Sequence, residues 1–227
     1  MGADMSKHLQ RGLIELREDL LSLFGVVEQM IDLAVRSLVE RRPDFAKRVI
    51  ATDRSVDVRE VEIEEECLKL LALHQPVATD LREVITIVKI NSEIEQMADL
   101  ACSIAERAVS LDNFPLFTVP EELNEMVHEA ISMVRRALDA FVTSDAQKAR
   151  EVIQDDDVVD ALNRIIIDQL QEVMQESSEH IIPGVHCFSA SRSIERVADL
   201  ATSLAEDTIY LIEGEIVRHK YGESSRQ

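Results

Sequence analysis

The sequence has no tryptophan and few of the residues that interrupt regular structure. Six glycines and five prolines in 227 residues are less than half the average share of about 12%. Strands and irregular folds need turn residues at short intervals, so this shortage excludes them and points to long helices with few breaks. Aromatic residues make up only 4%, leaving a core of Leu, Ile, Val, Ala and Met. The three cysteines, Cys67, Cys102 and Cys187, are odd in number and irregularly spaced. That is no disulfide framework, and it fits a reducing compartment. No apolar run reaches the roughly 18 residues of a membrane span, and the N-terminus has no signal-peptide core. The expected location is therefore the cytoplasm. A glycine-rich phosphate loop, a Walker lysine and a Ser-His-Asp or Cys-His arrangement are all missing, so neither a catalytic residue nor an organic cofactor site is expected.

Acid, in contrast, is abundant. Twenty-four basic residues against 44 acidic ones give a net charge of −20. Such a surface repels phosphate backbones and anionic lipid, which excludes nucleic acid and direct membrane docking as expected partners. The 46% apolar content is enough for a sizeable core at this length.

The apolar residues show where the helices run. Leu9, Leu13, Leu16, Leu20, Leu23, Val27, Met30 and Ala34 step by four and three, a seam with a 3.5-residue period. It predicts a first helix over about 6–40. Pro43 suits the first turn of a second helix, 43–73. His74-Gln75-Pro76 ends that helix, and a third follows over 77–111. The stretch 112–120, with two prolines and no helical period, reads as a linker. Pro120-Glu121-Glu122 starts a fourth helix, with carboxylates near the positive end of its dipole. Thr143-Ser144-Asp145 caps a fifth that ends near 177. Ile182-Pro183-Gly184 predicts another break, and a sixth helix then runs to about 219.

Helices falling as three plus three prompt a search for a repeat. Ile94 to Glu106 aligns with Ile194 to Glu206 at an offset of 100, with 9 of 13 positions identical. Ala46 to Val58 aligns with Ala149 to Ala161 at an offset of 103, with 6 of 13 identical. The three-residue difference must lie between these blocks, where a loop tolerates it. The expected fold is all-α, two tandem, sequence-related three-helix bundles of six long helices. The first bundle spans 6–111 and the second 121–220.

Both repeated blocks carry an acidic residue, three spacers and an Asp: Asp53 and Asp57, Glu95 and Asp99, Asp156 and Asp160, Glu195 and Asp199. Residues i and i+4 share a helix face, where like charges cost roughly 0.2–0.5 kcal/mol per pair. In the first half no basic residue stands three or four positions from Asp53, Glu95 or Asp99. In the second half Arg192, Arg196 and Arg164 stand beside Glu195, Asp199 and Asp160. Asp53 also lies on a stripe with Val49, Ile50, Val56 and Val61, which reads as core-facing. Ala98, Ser103 and Ala105 are small enough to let another helix approach Glu95 and Asp99. Carboxylates on partly buried faces need a counter-charge, and multivalent cations supply one through hard oxygen ligands. The eight carboxylates are therefore candidate metal ligands, and a solvated acidic face is the competing reading. Other patterns are weaker. A di-iron centre wants Glu-x-x-His on two helices, and Ala98 and Ala198 stand at that third place. Glu125 and His128 have the spacing once and read as a surface pair. Cys102 has Thr202 as its counterpart and reads as a small buried residue, while His186 and His219 read as ordinary surface or helix-end histidines.

Gln75-Pro-Val-Ala-Thr-Asp-Leu-Arg82, Ile94-Glu-Gln-Met-Ala-Asp99, Ile194-Glu-Arg-Val-Ala-Asp199 and Tyr210-Leu-Ile-Glu-Gly-Glu-Ile-Val-Arg-His219 resemble the signature of the PhoU family of phosphate-uptake regulators. The resemblance covers about 6–220. It implies tandem three-helix bundles, a homodimer, and metal clusters held by Asp53, Asp57, Glu95, Asp99, Asp156, Asp160, Glu195 and Asp199, with iron or another divalent cation such as Zn, Mn or Mg. It also implies a non-enzymatic negative regulator of phosphate uptake and phosphate-starvation signalling. Such a regulator links the ATPase subunit of a phosphate ABC transporter to a sensor histidine kinase, and meets the membrane only through those proteins. The family's later motif often reads Glu-Arg-Ile-Gly-Asp; here Ala98 and Ala198 replace the glycine and Gln96 the first arginine. The alternative is a metal-dependent enzyme or metal-storage helical protein built on the same carboxylates.

Overall fold

A computed structural model of the chain describes residues 2–111, 114 and 117–214, with side chains from residue 7 onward. The described residues form six α-helices: α1 Gly2–Val39, α2 Pro43–His74, α3 Ala78–Leu111, α4 Glu122–Thr143, α5 Ala146–Glu176 and α6 Ile181–Glu213. Among the described residues there is no strand, as the shortage of turn residues implies. Helices α1, α2 and α3 pack on one another as one bundle, and α4, α5 and α6 as a second. The bundles join mainly through α3 against α6, with a smaller contact of α1 against α4.

The leucine seam of α1 is the spine of the first bundle. Leu9, Leu13, Leu16, Leu20, Leu23, Val27, Met30 and Ala34 are all buried. Facing them are Val49, Val56, Ile63 and Cys67 of α2 and Ile87, Ile90, Ile94 and Met97 of α3. Alanine is common along α3 and α6: Ala98, Ala101, Ala105, Ala198, Ala201 and Ala205 are buried. Their small side chains let these two helices lie close to their neighbours.

The helix ends follow local chemistry. Pro43 occupies the first turn of α2, where its missing N–H has no partner to lose. Gln75 adopts a left-handed conformation and its N–H bonds the Leu71 carbonyl oxygen, closing α2. The Asp145 side chain accepts from the backbone N–H groups of Gln147 and Lys148, both at 3.0 Å, and starts α5. The fourth helix begins after Glu121, so Pro120 precedes the cap rather than entering the first turn.

The predicted break at Ile182-Pro183-Gly184 is corrected. The chain leaves α5 at Ser177, makes a short 3₁₀ turn over Ser178–His180 and enters α6 at Ile181. Pro183 is the third residue of α6, still within the first turn, where no intrahelical N–H bond is lost. The offset of 103 places His74 opposite Ser177, and the offset of 100 places Ala78 opposite Ser178. The three-residue difference between the offsets lies between the two repeated blocks, a stretch that holds the link 75–77 in the first half and 177–180 in the second. The end of the expected sixth helix, 215–219, and His219 lie outside the described residues, as do 112, 113, 115 and 116 of the linker.

Candidate metal-binding faces

In the first bundle α2 carries Asp53 and Asp57 toward Glu95 and Asp99 on α3. Glu95 feels the charges of Asp99, Asp57 and Asp53, and Asp99 feels Asp53 and Asp57. Burial raises the pKa of both, and these repulsions add to it. The second bundle repeats the arrangement on α5 and α6. Asp156 is pushed up to about 6, first by burial and then by Asp199, Asp160, Asp157 and Glu195. Each group of four carboxylates is thus brought face to face. Among the described residues no three acidic, histidine or cysteine side chains converge as a ready cation cage.

The reading of Asp53 as core-facing needs correction. Val49 and Val56 are buried, but Ile50 and Val61 face solvent, and Asp53 sits half-buried on the border between core and surface. Its Oδ1 is nonetheless shielded from water and accepts no hydrogen bond.

The two faces differ in counter-charge. In the second bundle Arg192 pairs with Glu195, Arg196 lies 3.6 Å from Asp199, and Arg164 lies 3.8 Å from Asp160. Arg192 and Arg196 partly offset the upward shifts of Glu195 and Asp199 that burial causes. Among the described residues no ion pair reaches Asp53, Asp57, Glu95 or Asp99.

Sequence reasoning missed two neighbours. Glu60 lies seven residues after Asp53, two turns along the same face of α2, and its charge acts on Glu95. That heptad spacing was the signal available. Its counterpart in the second bundle is Asn163, buried, whose Nδ2 donates to Glu195 Oε2 at 2.9 Å. One bundle adds a fifth carboxylate where the other adds an amide donor. Cys102 departs from the buried reading. It is half-buried beside Asp53, while Cys67 and Cys187 are sealed in the core. Burial, then contact with Asp53, raises the Cys102 pKa. Glu125 and His128 are both exposed, as a surface pair would be. His186 is half-buried against the Phe114 ring.

The pairing of α3 with α6 joins the two bundles along one seam. Lys89 of α3 bonds Asp207 of α6 at 3.1 Å, and just past the end of α3 the Phe114 ring lies tilted against His186. Rising numbers on α3 thus meet falling numbers on α6, so the helices are antiparallel. Between these contacts Gln96, Asp99, Leu100, Arg196 and Leu200 line a shallow cleft of about 220 Å³.

In donor type these residues suit a hard divalent cation, while among the described residues they do not stand as a ready cage. The donors are carboxylate oxygens, the groups repel one another where a cation would neutralise them, and one buried Asp53 oxygen has no partner.

The fold and its two facing acidic sets define a tandem three-helix-bundle protein with the same candidate site in each half. Comparison with known proteins agrees in fold and extent. The PhoU domain matches residues 20–108 and again 123–208. A phosphate-specific transport system accessory protein PhoU homolog of Aquifex aeolicus is 36% identical over 94% of this chain and 96% of its own length. The corresponding accessory protein of Escherichia coli is 32% identical over 97% of this chain and 93% of its own. The crystal structure of PhoU from Pseudomonas aeruginosa superposes with a TM-score of 0.83 at 33% identity, covering 91% of this chain and 99% of that one. The phosphate transport system regulatory protein PhoU from Streptococcus pneumoniae gives a TM-score of 0.85 at 29% identity, covering 92% and 99%. The chain belongs to the PhoU family. That is a family of regulatory accessory proteins, not of enzymes.

Proposed function

We propose that this protein is a negative regulator of phosphate uptake and phosphate-starvation signalling that works as a metal-binding adaptor in the cytoplasm. Relatives matching nearly its whole length are described as accessory proteins of phosphate-specific transport, and no described helix is long and apolar enough to cross a membrane. In this reading one surface meets the ATPase subunit of a phosphate ABC transporter and another a sensor histidine kinase, and the protein works as a homodimer. Adaptor action needs differential affinity for two partner states, not turnover.

The observation that carries the metal part is the repeated facing of Asp53, Asp57, Glu95 and Asp99, and of Asp156, Asp160, Glu195 and Asp199, with the pKa values of Glu95, Asp99, Asp156 and Glu195 raised, by burial first. A cation of the iron, Zn, Mn or Mg kind would relieve that repulsion and tie α2 to α3 and α5 to α6.

The test is the output of a phosphatase reporter on a phosphate-starvation promoter, in phosphate-rich medium. A strain lacking the protein should show high output, and wild type should silence it. A stably expressed variant combining Glu95→Ala, Asp99→Ala, Glu195→Ala and Asp199→Ala should leave output high. Low output in the deletion strain would refute the regulator reading. Full silencing by the combined variant would refute a signalling role for the carboxylates.

A further inference from the structure

We propose that the outward face of α2 is self-complementary and joins two copies of this chain, helix against antiparallel helix, about a two-fold axis passing between Arg59 and Glu60. The proposal rests on the homodimer reading above and supplies the surface that reading leaves open.

Helix α2 packs on α1 and α3, and it is α1 and α3 that meet the second bundle. Among the described residues one side of α2 is thus left without a neighbour. Along that side run Ile50, Arg54, Val58, Val61, Glu65 and Leu68. Their steps of four, four, three, four and three residues keep them in one stripe along the helix. Ile50, Val58, Val61 and Leu68 are 42%, 52%, 49% and 57% exposed. Single apolar residues on a surface are ordinary, but four in register over about 27 Å of helix make a patch of the kind that marks an interface. The repeated fold does not require them. At the matching positions the second bundle has Ile153, Asp157, Ala161, Arg164, Asp168 and Gln171.

The order of the residues identifies the occupant. In a two-fold contact one surface meets itself, residue i against j and j against i. From either end the stripe reads apolar, charged, apolar, apolar, charged, apolar, with opposite signs at the two charged places. Laid antiparallel on a second copy, it sets Val58 against Val61, Arg54 against Glu65 and Ile50 beside Leu68. A parallel pairing in register would set Arg54 against Arg54 and Glu65 against Glu65, so the charges also select the direction. Arg54 and Glu65 are exposed, and among the described residues no ion pair reaches either. Lys69, four residues past Glu65, pairs with Glu66 instead. One helix pair is a small interface, which places the dissociation constant near micromolar, on the order of 1–10 μM. Asp57 and Glu64 flank the stripe and repel their copies, an effect screened at physiological ionic strength, where the Debye length is about 8 Å.

Sedimentation of the full chain from about 1 to 100 μM, in about 0.15 M salt, is the test. Wild type should pass from monomer to dimer. Arg54→Glu and Glu65→Arg should each keep the wild-type circular dichroism. Each should weaken dimerisation by about tenfold or more, since like charges then oppose twice per dimer. Both changes in one chain should restore dimerisation. So should an equimolar mixture of the two single variants, in which each chain meets opposite charge at both contacts. Single variants that dimerise as wild type does, or that stay monomeric when mixed, would overturn this interface and leave the homodimer standing. A wild type still monomeric at about 100 μM would overturn both, and the reporter output decides the regulator reading separately.

Discussion

Replacing Asp156 by Asn removes one charge from the second acidic face with little change in shape. The Asp156 carboxyl titrates at about 6 against an ordinary 3.8, through burial first and then the charges of Asp199, Asp160, Asp157 and Glu195. The folded protein therefore holds a proton that the unfolded chain has already released. Stability from this group is fully present below about pH 4 and is lost as pH rises through 6. At about 1.4 kcal/mol per pH unit the full penalty at pH 7 would be about 3 kcal/mol. The side chain keeps contact with water, and Arg192 and Arg196 stand near its partners, so screening reduces this to about 1 kcal/mol. Metal-free Asp156→Asn should thus be about 1 kcal/mol more stable than wild type at pH 7, with the gap closing by pH 4. Urea denaturation of chelator-treated protein at the two pH values reads it out. Saturating Mn²⁺ should reverse the order, because a cation at 100 times its dissociation constant stabilises the folded state by about 2.7 kcal/mol and the variant has lost a ligand oxygen. A metal-free variant less stable than wild type at pH 7, or a gap independent of pH, would refute the electrostatic account.

Lys89→Met removes one ion-pair partner of Asp207, which is only 2% exposed on α6. It should lower stability by about 1–3 kcal/mol, below the range for fully buried pairs because Lys89 is itself partly exposed. Thermal melting would show this, and Lys89→Arg should recover part of the loss. Asp145→Ala removes the acceptor for two N–H groups at the start of α5. Urea unfolding should register about 1 kcal/mol, most of it spared by Asp145→Asn. Gly184→Ala would place a methyl group 2.6 Å from Met174 Cγ. It should cost about 1 kcal/mol or more, and Met174→Ala in the same chain should cost less than the two changes summed; strict additivity would show that the contact is absent.

The helices were legible in the sequence because their signals are local. The four-three stepping from Leu9 to Ala34, Pro43, and Asp145 ahead of α5 each concern neighbours on one helix, and the structure buries that seam and uses both residues at helix starts. The repeat was equally legible, since two copies of one unit keep the same residues in register. Pro183 misled because proline ends a helix interior but is tolerated in a first turn, and only the observed start of α6 separates the two cases. The eight carboxylates were readable as one-turn pairs, but what stands opposite them was not. Glu60 acting on Glu95, the Asn163 bond to Glu195 and the Cys102 thiol beside Asp53 join residues 32 to 49 positions apart in sequence. The sequence by itself determined the helix content, the tandem repeat and the acidic stripes, because each follows from periodicity along one chain segment. Only the tertiary structure decided that α3 runs antiparallel to α6, that Asp99 and Arg196 share one cleft, and that Asn163 donates to Glu195 where Glu60 acts on Glu95. Those outcomes depend on how separate helices cross, and packing between distant segments, not the pattern within any one of them, sets that crossing.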